Sequence, residues 1–387
     1  MDYRDLNKAI DSNPGPDVPS CDQKLRDWRL PGQEQVIVDI RKAYLQVRLH
    51  PSLLPYLAVV WPEKLYVMTR MGFGLAVAPK VMNAIVKFAT LDFPQVDNYV
   101  DDLFVPEEEA EAVKSKLEHY GLPTKPAEPL AQARVLGLQV SKRDGNLVWK
   151  RCDGVSLSCP KNPTKRQISK WCGALTAHCP VCKWLRPAAS FLKRMANLST
   201  DGWDDAVPDC VATLCTEFEK QVGCADPVSG RWSINTADSA AWTVWCDASD
   251  TAMGVVLDVD GVVVEDKAWL RPSDDKRHNN AELDAVIKGL NLASHWGLQR
   301  LVVKTDSKTV HSWLVSMLQD VERVKVGGLH ELLVRRRVQI IQEIVKVAGM
   351  EVIVACVPSA ENRADPCSSY MAGMCQDSQE GRSTRSS

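Results

Sequence analysis

Hydrophobic and polar positions follow three different rhythms along the chain. Up to about residue 150, short strand-like and helix-like segments alternate. The run 35–40 (QVIVDI) is β-branched and predicts a buried strand, and 65–70 (LYVMTR) alternates like another. From Pro79 to Thr90, Val81, Ala84, Ile85 and Phe88 recur at helical spacing behind a proline suited to a first helical turn. Residues 98–105 (NYVDDLFV) predict a strand pair, 107–120 an acidic helix, and Asp144-Gly145 a hairpin between apolar flanks.

From about 151 to 237 the pattern is more helical, and 166–195 concentrates tryptophans and basic residues. Turn-rich composition marks 11–20 and 201–238 as loops. A third rhythm begins near residue 240. Strands are predicted at 242–248, 251–258 and 262–269, the last two joined by Asp260-Gly261. A helix follows with Leu283, Val286, Ile287 and Leu290 on one face. Then come a strand at 301–305, helices at 309–318 and 331–347, and a strand at 351–356. This β-β-β-α-β-α-α-β order predicts a mixed sheet covered by helices.

Composition changes the picture little. The 387 residues are 45% hydrophobic and 25% charged, which excludes a mostly disordered or collagen-like chain and fits two or three domains. No apolar run nears the roughly 18–20 residues of a membrane span, and residues 1–17 are too polar for a signal peptide. A net charge of −2 makes any nucleic-acid surface a local one. Thirteen scattered cysteines read as thiols and not as a disulfide framework. His178, Cys179 and Cys182 have no second pair at zinc spacing, so buried thiols are the expectation there.

Chemistry is expected where carboxylates interrupt apolar runs, because burying them without a cation or donors is costly. Asp39 closes one such run and Asp101-Asp102 breaks another. Aspartates holding two divalent ions are a standard solution for phosphoryl transfer to a 3′-hydroxyl. Adjacent aspartates on a regular strand face opposite ways, so both can contribute only at a hairpin tip. Asp101 is then the direct ligand and Asp102 the supporting one. The alternative is a pair of acids on a surface turn.

Tyr99-Val100-Asp101-Asp102 resembles the signature box of reverse transcriptases, and further boxes follow the family order. Asp2–Asn7 (DYRDLN) resembles the opening fingers motif, and Asp39–Gln46 (DIRKAYLQ) the first catalytic box. Met71–Leu75 (MGFGL) with Ala78-Pro79 resembles the template and nucleotide grip. Gly121-Leu122 with Lys125-Pro126, and Val135-Leu136-Gly137, resemble the late palm and primer-grip boxes. The resemblance implies that Tyr44 is the steric gate against a 2′-hydroxyl. It implies that Gly74 lets the backbone approach the nucleotide. Lys125 would neutralise charge on the pyrophosphate, or be a solvated loop lysine, and Arg4 would reach a template phosphate. The family's earlier fingers strands are not represented before Asp2, so a truncated copy with weakened polymerisation is expected. The basic stretch 166–197 resembles a thumb or connection segment that would grip primer–template by counterion release.

Four acids mark the third block: Asp247 ends a strand, Glu282 lies in the first turn of a helix, Asp306 ends the next strand, and Asp365 opens the last helix. Converged, they would hold two Mg²⁺ ions for phosphodiester hydrolysis. Individually, Asp306 and Asp365 also read as helix N-caps. The strings Asp-Ala-Ser, Ala-Glu-Leu, Thr-Asp-Ser and Asn-Arg-Ala-Asp resemble ribonuclease H in family order. The histidine that many members carry before the last aspartate is absent from 357–362. Arg335-Arg336-Arg337 sits where some relatives bind hybrid, although three consecutive arginines point three ways on a helix.

Together the resemblance is to a gypsy-like LTR retrotransposon Pol fragment. It implies a multidomain α+β and α/β chain. Partial fingers and palm would occupy 1–150, a thumb/connection segment and linker 151–238, a ribonuclease H-like mixed sheet flanked by helices 239–371, and a disordered tail 372–387. It implies RNA-directed DNA polymerase and ribonuclease H activities, with Mg²⁺ (or Mn²⁺) at each site. The implied partners are RNA template, DNA primer, RNA/DNA hybrid, deoxynucleoside triphosphates and other polyprotein parts, with no membrane. The implied location is cytoplasmic virus-like particles with nuclear access, without secretion. A degenerate fragment with nucleic-acid binding or nuclease activity alone is the alternative.

Overall fold

In the computed structural model of the protein, the described residues are 3–11, 18–30, 34–151, 158–176, 185–225, 229–234, 242–250, 252–271, 278–318 and 331–368. Asp2, His178, Cys179, Cys182, the tail from 369 and most of the 11–20 loop lie outside them. Contacts divide the chain into two units, Met1–Val148 and Trp149–Ser387. Among the described residues no helix is long and apolar enough to cross a membrane.

The first unit opens with α1 (Arg4–Ala9) and α2 (Cys21–Arg29), followed by β1 (Gln35–Asp39), the single turn α3 (Ala43–Gln46), and the hairpin β2 (Ala58–Val60) and β3 (Leu65–Val67). Next come α4 (Ala78–Ala89), β4 (Asp97–Tyr99), β5 (Asp102–Pro106), α5 (Ala110–His119), β6 (Glu128–Pro129), β7 (Arg134–Val135) and β8 (Leu138–Arg143). Its main sheet has the order β4-β5-β1-β6. Val36 and Val38 of β1 pack with Met82 and Val86 of α4, Leu103 and Val105 of β5, and Val113 and Leu117 of α5. Each such side chain, fully buried, contributes about 1.5–3 kcal/mol. The helix α2 is not expected from the hydrophobic pattern. Its signal is Ser20, whose hydroxyl accepts from the Gln23 N–H as an N-cap.

Asp144 (φ 50°) and Gly145 (φ 80°) turn β8 into β9 (Asn146–Arg151), as an Asp-Gly hairpin requires. In the second unit α6 (Lys165–Thr176), α7 (Leu185–Ser199) and α8 (Asp209–Ala225) pack as a small helical group. In α6, Ile168, Trp171, Cys172 and Leu175 are buried at the spacing i, i+3, i+4, i+7. The expectation of loop across 201–238 is corrected by α8. Its aspartate and threonines lie on the outer face, while Val211, Leu214, Cys215 and Phe218 make the inner one.

After β10 (Ser229–Arg231) the mixed sheet begins. It comprises β11 (Trp242–Ala248), β12 (Ala252–Val259), β13 (Val262–Leu270), β14 (Arg300–Thr305) and β15 (Glu351–Cys356), with α9 (His278–His295), α10 (Lys308–Leu318) and α11 (Glu331–Ala348). The sheet order is β13-β12-β11-β14-β15: antiparallel from β13 to β11, then parallel to β14 and β15. Helix α9 lies on β11 and β12 through Leu283, Val286 and Leu290. It approaches closely because Gly289 has no side chain: a Cβ there would stand 2.6 Å from Val244 Cγ1 and 2.9 Å from Cys246 Sγ.

Candidate functional sites

In the first unit, register builds the acidic group. β1 and β5 pair from Gln35 with Pro106 to Asp39 with Asp102, so these two carboxylates start from directly opposed backbone positions. Tyr99 pairs with Asp102, leaving Val100 and Asp101 as a two-residue hairpin tip. Val100 has φ 60°, a strained conformation for a β-branched residue. The tip is held from below: the Asn98 side-chain amide donates to the Val100 carbonyl (3.2 Å) and to Asn83 Oδ1 (2.9 Å). Asp101 leaves the strand and its carbonyl accepts from the Ile40 N–H (3.3 Å).

Burial, then the neighbouring Asp101 and Asp39 charges, pushes Asp102 up to about 6. Asp101 is also raised, mainly by burial. Lys125 forms an ion pair with Asp39 (2.7 Å), and its N–H donates to the Asp39 carbonyl (2.9 Å). The lysine is thus an exposed loop residue that is also paired with the acid group. Tyr44 meets Phe73 edge to face at 5.0 Å, and burial followed by the Asp101 charge raises its hydroxyl pKa. Gly74 has φ 102°, with Tyr3 stacked where a side chain would project. Asn7 docks α1 on this loop, donating to the Gly74 carbonyl and accepting from the Ala76 N–H, both at 2.8 Å.

In the second unit two parallel strands present acids side by side. The β11–β14 register pairs Thr243 with Val302 and Trp245 with Lys304. Carried two residues further, it sets Asp247 beside Asp306. Among the described residues, Asp247, Glu282 and Asp306 are the one set of three acidic, histidine or cysteine groups whose ligand atoms all lie within 4.8 Å. Asp39, Asp101 and Asp102 do not form such a set.

Glu282 is the fifth residue of α9, one turn further in than expected, because the helix starts at His278. It accepts from the Ala248 N–H, yet burial and the charges of Asp247 and Asp306 push it up to about 8. Asp306 is not the cap of α10. Ser307 takes that place, its hydroxyl accepting from the Val310 N–H and its carbonyl from the His311 N–H, which leaves Asp306 outside the helix. Nor does Asp365 cap the last turn, 365–368; it is the first residue of it. Asn362 Oδ1 accepts from the Ala364 N–H instead. Asp365 is raised by partial burial and by the Asp306 charge, which places it beside the set without joining it.

Two groups were given no role in the sequence reading. Asn362 donates to Asp247 Oδ1 (3.3 Å) and to the Cys246 carbonyl (3.0 Å), and the Ser368 hydroxyl donates to Asp247 Oδ2. Asn362 lies inside the Asn-Arg-Ala-Asp string and was in view; Ser368 carries no signal of its own. Of the three arginines on α11, Arg337 is committed to Asp284 of α9 through two bonds of 2.8 and 2.9 Å. An all-oxygen set of clustered carboxylates, one of them carrying a raised pKa, fits a hard divalent cation.

Residues 237–326 match a protein family described as reverse transcriptase-like, and residues 164–223 match a domain of unknown function, DUF7047. Among solved structures the chain is similar to a foamy viral protease-reverse transcriptase in complex with an RNA/DNA hybrid. The TM-score is 0.62 at 14% identity over 93% of this chain and 49% of that one. It is similar to two further foamy viral protease-reverse transcriptase structures, both with double-stranded DNA. Their TM-scores are 0.61 and 0.60, with 92% of this chain covered in each and 63% and 74% of theirs. The chain thus spans about half the length of the first. At this identity the likeness is one of fold: a reverse-transcriptase-like arrangement of mixed sheets and helices.

Proposed function

We propose that the chain is a retroelement enzyme of the gypsy-like LTR kind that hydrolyses the RNA of RNA/DNA hybrids at Asp247, Glu282, Asp306 and Asp365. We further propose that its first unit copies RNA into DNA at Asp39, Asp101 and Asp102. The observation that carries the reading is the convergence of Asp247, Glu282 and Asp306 within 4.8 Å. Two bound Mg²⁺ ions would supply charge neutralisation and a water of lowered pKa. The chain's own residues prepare that chemistry. Asp247, Glu282 and Asp306 would offer their oxygens from two strand ends and one helix, and Asp365 would extend the acidic patch beside Asp306. Glu282, whose proton affinity burial and its acidic neighbours raise, would release its proton to serve as a ligand. In the first unit Tyr44 would close against a ribose 2′-hydroxyl with Phe73 fixing its ring. Asp39 and Asp101 would hold the cations, with Asp102 supporting them and Lys125 balancing their charge.

A primed RNA template with both strands labelled, Mg²⁺ and deoxynucleotides tests both activities in one reaction. Asp306→Asn should abolish RNA cleavage and spare primer extension, and Asp101→Asn should do the reverse. Loss of both activities in either variant would sink the two-site reading. A second reading, hydrolysis without polymerisation, is favoured by the Lys125–Asp39 ion pair and by the looser spacing of the first acid group. Cleavage without extension in the parent chain would establish it. Action in cytoplasmic particles with other polyprotein parts belongs to the same proposal, and co-sedimentation of both activities with such particles tests it.

A further inference from the structure

The turn that carries Asp365 also grips Asp247, and it is itself immobilised. Ser368 is fully buried. Its carbonyl accepts from the Ser249 hydroxyl (2.8 Å) just beyond the end of β11. Beneath the turn lies Gly254 of β12. A Cβ there would stand 2.5 Å from the Ala364 carbonyl oxygen, 2.8 Å from Cys367 Cβ and 3.1 Å from the Ser368 N–H nitrogen. The turn therefore packs directly on the backbone of β12. From this anchored position the Ser368 hydroxyl has two acceptors in reach, Asp247 Oδ2 and the Asp365 carbonyl at 3.1 Å. It has one proton. The contact to Asp247 Oδ2 is the shorter of the two, which places the proton on that side. Asn362 meets the other oxygen, Oδ1. The two donors come from one short segment and fix both ends of the same carboxylate.

We propose that Ser368 is a positioning residue of the carboxylate site: its hydroxyl sets the plane of Asp247 before a divalent cation binds. The inference rests on the reading of Asp247, Glu282 and Asp306 as a cation site. Groups that orient a ligand in this way are commonly worth about 10- to 100-fold in metal affinity or activity. Ser368→Ala removes the donor. Ser368→Cys keeps a side chain of similar shape with a much weaker donor, so it should behave like the alanine variant and not like the parent.

The test titrates the full chain with Mn²⁺ alone, followed by calorimetry and by the electron paramagnetic resonance of free Mn²⁺. Thermal unfolding in EDTA is recorded alongside. The relevant sites are those that Asp306→Asn removes. Both Ser368 variants should bind at these sites about tenfold more weakly, with unfolding in EDTA close to that of the parent. Parent-like Mn²⁺ affinity in both variants, with binding still lost in Asp306→Asn, overturns the role of Ser368 and leaves the cation site standing. An affinity loss matched by an equal loss of folding in EDTA also overturns it, since Ser368 then serves the fold alone. A parent chain with no Mn²⁺ binding that depends on Asp306 removes the cation site and the proposal together.

Discussion

Glu282 shows what a single side chain contributes and withholds. In the folded chain it keeps its proton up to about pH 8, whereas the ordinary value is 4.5. The folded state therefore binds more protons than the unfolded state between these values. Stability from this group is complete below about pH 4.5 and is lost as the pH rises through 8. Asp102, held at about 6 against 3.8, acts in the same direction over a lower window. In EDTA the melting temperature should fall between about pH 5 and 8, and saturating Mg²⁺ should remove most of that fall. Glu282→Gln should flatten the EDTA profile while abolishing hydrolysis. A flat EDTA profile in the parent would show that these acids titrate normally. At this scale the sequence exposed the acids themselves, Asp39 and Asp101-Asp102 at apolar runs and the four later ones at strand ends and helix starts in a recognisable order. It did not expose their partners: Ser368 and Asn98 are ordinary polar residues until folding brings a carboxylate or a strained carbonyl within reach.

Among elements, legibility followed periodicity. The strand 242–248 was readable to its ends because seven successive side chains are buried on both faces. The helix α8 was not, because Asp209 and its neighbours suggest turns while burial of Val211, Leu214, Cys215 and Phe218 decides for a helix. The cap reading of Asp306 was off by one residue, and that residue separates a helix cap from a member of the acid set: Ser307 satisfies the first N–H groups of α10 and leaves Asp306 outside the helix. The helix α9 delivers Glu282 only if it lies tightly on β11, and Gly289 is what permits this. Gly289→Val should push α9 outward at an overpacking cost of about 1–3 kcal/mol. Denaturant unfolding and the labelled-hybrid assay should then show lower stability and weakened cleavage. Unchanged cleavage would mean that the acid set tolerates a displaced helix.

Among the described residues, one hydrophobic core lies around Leu103, Val38 and Met82 and another around Val244, Val255 and Leu283. No residue belongs to both. Leu103→Ala should cost about 2–5 kcal/mol in the first core. Calorimetry should show one transition lowered and the other unmoved, with RNA cleavage retained. A joint shift of all transitions would instead make the chain one cooperative unit. The contact between Asp247 and Ser368 spans 121 positions, and the one between Ser249 and Ser368 spans 119. This separation has a consequence in time. Chains fold as they emerge from the ribosome, domain by domain from the N-terminus, so the first acid group can assemble while the second unit is still being translated. The second acid group has to wait for the 362–368 turn, whose Asn362 and Ser368 hold Asp247. On the proposed function, a nascent chain would acquire its means of copying a message before its means of destroying one.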